Sequence, residues 1–164
     1  MIANNKKIIA TVSWLLFAAL IGIYGWMYAP YNFENNDGGF ILGLAHQVFM
    51  GGSLYDQIIY VRPPISPILH SFVFYPPFSS LPIFIDRLFV FVQIAVYSVL
   101  SAVFVKRLFA WDNTFTVIVS ALCFVFSVHA FPPMAWHTID GIFFSVIALY
   151  LYRSHAGAWE RGLV

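Results

Sequence analysis

Asp37, Arg62, Arg87, His137 and Asp140 are the residues of this sequence whose types suit group-transfer chemistry. A carboxylate held in a fixed direction can take a proton from an attacking group. Guanidinium groups match phosphate oxygens. His137 and Asp140 stand three positions apart, one turn of a helix. Asp37 is followed by Gly38-Gly39, which permits a tight turn, and reads as the N-cap of a helix over residues 40–50. That helix carries Phe40, Leu44 and Val48 along one stripe, with Ile41 and Ala45 beside it, and Gly51-Gly52 ends it. Capping and proton transfer are compatible, because a carboxylate at a helix start is aimed. His70 lies on an apolar stretch and reads as a packed histidine. Paired with His137 or Asp140 it could bind a metal, but no ligand spacing supports a divalent metal site. The sequence carries no Gly-rich nucleotide loop, no Cys/His cluster and no Ser/His/Asp arrangement.

The elements that must position these residues are apolar. Hydrophobic residues make up 61% of the 164, aromatics 20% and charged residues only 9%. Soluble domains carry about a quarter charged residues, so this composition implies an all-α integral membrane protein. The net charge of +1 speaks against a nucleic-acid partner. Cys123 is the single cysteine and excludes an intramolecular disulfide. Four spans are expected, over residues 8–28, 88–105, 114–131 and 134–152, each long enough for a hydrocarbon core of about 30 Å at about 1.5 Å per residue. The first reads as an uncleaved span rather than a signal peptide. Trp26, Trp111, Trp136 and Trp159 fall near span ends, as an aromatic belt requires; Trp14 does not.

Residues 65–84 are apolar but interrupted by Pro67, Pro76, Pro77 and Pro82. Prolines remove backbone donors, which is costly in lipid. If this piece stays on the outer side, Lys6, Lys7, Lys106, Arg107, Arg153 and Arg161 are all cytoplasmic, leaving Arg62 and Arg87 outside, as the positive-inside bias favours. The expectation is four spans with both ends inside and an external juxtamembrane helical loop over residues 29–87. Glu34, Asp37, Asp56, Arg62, Asp86, Arg87, His137 and Asp140 then share the outer face, with Asp112 and Glu160 opposite. Ionisable residues gathered at one membrane face suggest use there.

The order of pieces along the chain resembles the first external loop of GT-C fold glycosyltransferases. The likeness is to the branch containing protein O-mannosyltransferases, lipid A aminoarabinose transferases and RgtA/B/C/D-like bacterial enzymes. It rests on Asp37-Gly38-Gly39-Phe40, Leu44-Ala45, Gly51-Gly52-Ser53-Leu54-Tyr55-Asp56, Val61-Arg62-Pro63-Pro64, Asp86-Arg87-Leu88 and Thr138-Ile139-Asp140. The resemblance implies transfer of a sugar from a polyprenyl-phosphate donor to a glycan, lipid or protein acceptor, with inversion, at the extracytoplasmic face of a bacterial inner membrane. Asp37 would be the catalytic base. Arg62 and Arg87 would hold the leaving phosphate, and His137 and Asp140 would shape the donor or acceptor site. The family often has a second acid directly after the first, where this sequence has Gly38. Family members are far longer, so the resemblance also implies that residues 1–164 form a single membrane domain, the N-terminal part of a longer module. The alternative is a small non-catalytic four-span protein that binds a lipid or a larger membrane partner.

Overall fold

The computed structural model describes residues 2–31, 37–57 and 62–162, with side chains described for 7–31, 37–57 and 62–153. Glu34, Val61 and the side chains of Lys6, Trp159, Glu160 and Arg161, all used in the sequence reading, lie outside the described residues. The chain forms α1 (Ile2–Tyr28), α2 (Asp37–Phe49), α3 (Ile65–His70), α4 (Pro82–Phe109), α5 (Asn113–Ala130) and α6 (His137–Gly162). Single 3-10 turns occupy Ser71–Phe74 and Phe78–Ser80. Among the described residues there is no β-strand, as an all-α reading requires.

Three helices, α1 from Lys7 onward, α4 and α5, are long and apolar enough to cross a membrane. Their apolar residues run all round, so large side chains such as Leu15, Leu16, Leu122 and Phe126 stay exposed where a hydrocarbon solvent would cover them. Helices cover all four expected stretches, with shifted ends, but among the described residues only the first three qualify as spans; α6, over the fourth, does not. The shift that bears on the site is in α4, which begins at Pro82 rather than at residue 88. A proline in the first turn loses only a hydrogen bond that no helical residue there would make. Pro82 therefore starts a helix instead of breaking one, and Asp86 and Arg87 move from the loop into the second turn of α4. The proline-rich piece before it holds only the six residues of α3 and two 3-10 turns, far short of a span.

Helix α4 is the hub, packed against α1, α5 and α6. The bundle core is built from Phe17 of α1, Phe91 and Ile94 of α4, Phe124 of α5 and Ile139 of α6. Trp14, the tryptophan outside the belt pattern, packs against this core, edge-on to Phe17 at 6.0 Å. Turns are chemically specified. At the α4–α5 turn, Ala110 adopts the left-handed conformation and Asp112 Oδ1 accepts from Phe115 N at 2.7 Å as the N-cap of α5.

A second core sits over one end of the bundle. Ile41, Leu42 and Leu44 of α2 join Val73, with Leu54, Phe72 and Phe74 around them, and meet the bundle at Ile85 and Ala135. This cap, residues 37–57 and 62–81, is the element that positions the candidate site. The two ends of the bundle differ in charge. Arg62, His70, Asp86, Arg87, His137 and Asp140 contact one another or their neighbours at the capped end. Lys106 bonds Asn113, and Arg107 lies 5.0 Å above the Tyr150 ring, at the other.

Candidate functional site

Asp37 is the first residue of α2, and it is exposed. The helix thus starts three residues earlier than the sequence suggested, and Gly38-Gly39 lie inside its first turn rather than in a turn before it. The reason is packing. A Cβ on Gly38 would stand 3.0 Å from Met134 Sδ and 3.1 Å from Met134 Cβ, so glycine lets the start of α2 press against the segment entering α6. The buried face of α2 is correspondingly Gly38, Ile41, Leu42, Leu44 and Ala45, while Phe40, expected in the stripe, is 51% exposed. A carboxylate in the first turn is favoured by the helix dipole. The other end is closed as expected: Gly51 has φ +89°, its N–H reaches Val48 O at 3.0 Å, and Gly52 N–H reaches Gln47 O at 2.9 Å. That is the Schellman pattern of a glycine-terminated helix.

Arg62 meets His137 across the junction of cap and bundle. Its Nη1 lies 2.5 Å from Nδ1 and 3.0 Å from Nε2 of the imidazole. A guanidinium only donates, so the contact needs a neutral His137 whose lone pair accepts. The carboxylates of Asp37 and Asp140 both act on His137 electrostatically, opposite in sign to Arg62. Tyr55, held at φ +73°, donates its hydroxyl to the Arg62 carbonyl at 2.5 Å and so fixes the arginine from the Leu-Tyr-Asp segment.

Behind this exposed group lies a buried one. His70 Nδ1 is 2.5 Å from Asp86 Oδ1, and Nε2 is 3.2 Å from Asp140 Oδ1; all three residues are at most 1% exposed. Gln93 Nε2 donates to the same Asp140 oxygen at 2.8 Å. Ser66 Oγ lies near Asp140 but short of hydrogen-bond geometry. Burial alone would lower the His70 pKa. The hydrogen bonds to Asp140 and Asp86, and the charges of both, more than reverse this and raise it to about 9. Among the described residues no group of three His, Cys, Asp or Glu side chains is placed to hold a metal ion. The two carboxylates face opposite nitrogens of one ring and do not converge on a point.

Arg87 is 6% exposed, and its Nη1 donates to Ala29 O at 3.2 Å, tying the end of α1 to the start of α4. It lines two spaces. One is a water-sized cavity of about 10 Å³ shared with Gly38, Asp86 and Met134. The other is an open cavity of about 350 Å³ walled by Pro30, Leu81, Pro82 and Phe84. Arg87 therefore stands between the start of α2 and an apolar recess.

Of the five residues singled out from the sequence, Asp37, Arg62 and His137 form the exposed group, Asp140 lies buried one turn below His137, and Arg87 lies beside Asp86. Asp140 is fully covered and acts on His137 only electrostatically. His70 pairs with Asp140, one of the two partners considered for it. Missed from the sequence were the Asp86 contact and Gln93. The available signal was polarity inside apolar helices: Asp86, Gln93 and Asp140 are all polar residues that an apolar helix must bury or pair. Comparison with protein-family models, with curated proteins and with solved structures found no match.

Proposed function

We propose that the capped end is a glycosyl-transfer site of GT-C type, using a sugar carried on a polyprenyl phosphate, with Asp37 as the base. The observation that carries this reading is the junction itself. An exposed carboxylate in the first turn of α2 stands in the field of His137, which Arg62 contacts at 2.5 Å, so an acid and a fixed cation share one membrane face. Asp37 is suited to take the acceptor proton, because its backbone is fixed by the Gly38–Met134 contact. Arg62 is suited to neutralise the phosphate released as the anomeric bond breaks. The recess beside Arg87 has apolar walls and one cation, which fits the junction between a lipid tail and its phosphate. Helix α6 supplies the fourth span, so that both ends face the cytoplasm and the capped end faces out, in keeping with Lys106 and Arg107 at the opposite end. Gly38 occupies the place of the family's second acid, and the room there is taken by Met134. In this chain the step relies on one carboxylate at that position.

The test is capture of a photo-crosslinking polyprenyl phosphate by the protein in lipid nanodiscs. Labelling is expected on peptides of the cap and the first turns of α4, competed by unlabelled polyprenyl phosphate and reduced about tenfold in Arg62→Gln, the loss expected for one charge-assisted contact. Equal labelling of the variant, or labelling confined to the Lys106–Arg107 end, overturns the reading.

A further inference from the structure

The cap and the bundle have separate cores, and the contact between them combines an apolar margin with a buried ionic group. The cap's apolar core of Ile41, Leu42, Leu44 and Val73 meets the bundle at its margin, through Ile85 and Ala135. Two ring contacts add to this: Phe72 and His70 lie edge-on to Phe89 of α4 at 5.0 and 5.6 Å. At the centre stands His70, the last residue of α3, with a carboxylate from α4 on one nitrogen and a carboxylate from α6 on the other.

We infer that His70 is the pin that docks the cap on the membrane bundle, its protonated imidazole bridging Asp86 of α4 and Asp140 of α6. An ionised carboxylate only accepts hydrogen bonds, and a neutral imidazole has one N–H and one lone pair. A neutral His70 can therefore satisfy one of the two aspartates and must turn a lone pair on the other. Asp140 would keep the amide of Gln93. The second oxygens of Asp86 and Asp140 already have no hydrogen-bond partner, so Asp86 has no donor to replace His70 and Asp140 has only Gln93. Loss of the proton leaves two buried anions repelling across a ring that no longer joins them.

The charged neighbours fit this account from every packed element. Helix α4 presents Asp86 and Arg87, and α6 presents Asp140 and His137, the latter faced by Arg62. Helix α2 presents Asp37 at its start, whose field falls on His137, and His46 near its end, whose ring packs on Phe74 at 4.9 Å. The turn Ser71–Phe74 presents none. With His70 protonated, Asp86, Asp140, His70 and Arg87 sum to zero charge; with it neutral, they sum to one buried negative charge. Asp37 belongs to the cap and His137 to the bundle, so the pin also sets whether the two halves of the exposed face are aligned. The inference rests on the geometry of the cap and not on glycosyl transfer.

The sign of the pH dependence follows from His70. Its pKa is raised in the docked form, to about 9, so docking is fully supported below the ordinary imidazole value of about 6.5 and is lost as pH rises through about 9. The experiment is a spin-label distance measurement on the full chain in nanodiscs, in a Cys123→Ser background. Labels at Met50→Cys on the cap and Ala130→Cys on α5 occupy exposed positions. A single narrow distance is expected from about pH 6 to about pH 8, giving way to a longer, broader distribution above about pH 9 while helicity is kept. His70→Gln is expected to show the broad distribution at every pH. In Asp86→Asn the asparagine can both donate and accept, so a neutral His70 suffices and the alkaline step disappears. A wild-type distance unchanged to about pH 10, a change that coincides with loss of helicity, or an alkaline step that persists in Asp86→Asn overturns the proposal. Should His70→Gln fail to fold, the wild-type titration and Asp86→Asn still decide it.

Discussion

An imidazole faced by a carboxylate at each ring nitrogen can satisfy both only as a cation, and this one condition governs the stability of the capped end. His70 is wholly buried and its pKa lies at about 9 against an ordinary 6.5. Protonation therefore stabilises the fold by roughly 3 kcal/mol at pH values below about 6.5, and that contribution fades as pH rises through about 9. Thermal denaturation in detergent is expected to show a melting temperature that falls between about pH 6.5 and about pH 9.5, with the slope flattened in His70→Gln; an equal slope in the variant would assign it to other groups. At this scale the sequence was half legible. Asp37, Arg62 and His137 announced themselves by type and by their places at the margins of apolar runs. Asp140 was singled out too, but the contact of His70 with Asp86, 16 positions away on another helix, was not, because no local spacing rule reaches across helices that must first pack.

The helices themselves were the most legible part, since apolar runs of span length leave few alternatives. Their ends were less so, and the reasons are specific. Pro82 reads as an interruption but serves as a helix start, which brought Asp86 and Arg87 into α4 and made the buried network possible. Gly38-Gly39 reads as a turn, yet both glycines are helical, and Met134 fills the space a side chain on Gly38 would need. This gives a test of the packing that aims Asp37. Gly38→Val should destabilise by about 1–3 kcal/mol through overpacking, even though valine has the better helix propensity. Truncation of the neighbour in Gly38→Val/Met134→Ala should recover part of the loss. Additive effects of the two substitutions in a double-mutant cycle would contradict the contact.

At the scale of the molecule, the chain is a helical bundle, three of its helices long and apolar enough to cross a membrane, with a small cap at one end. The bias of lysines and arginines anticipated two unlike ends, and the contacts differ between them: Asp86, Asp140, His70 and His137 meet Arg62, Arg87 or one another at the capped end, while Lys106 and Arg107 pair with Asn113 and Tyr150 at the other. The cap as a second core was not legible, because its prolines and short turns carry no periodicity to read. It is nonetheless the cap that brings Asp37 to His137 and Arg62, and so makes a site from residues far apart in sequence. The central claim is that this carboxylate is the base of a sugar transfer. The most direct measurement is transfer of radiolabelled sugar from polyprenyl-phosphate donors by membranes containing the wild-type protein or Asp37→Asn at matched abundance. The account predicts transfer by the wild type and a loss of at least about 100-fold in the variant. Transfer by Asp37→Asn at the wild-type rate, or no transfer by the wild type from any polyprenyl-phosphate sugar, would contradict it.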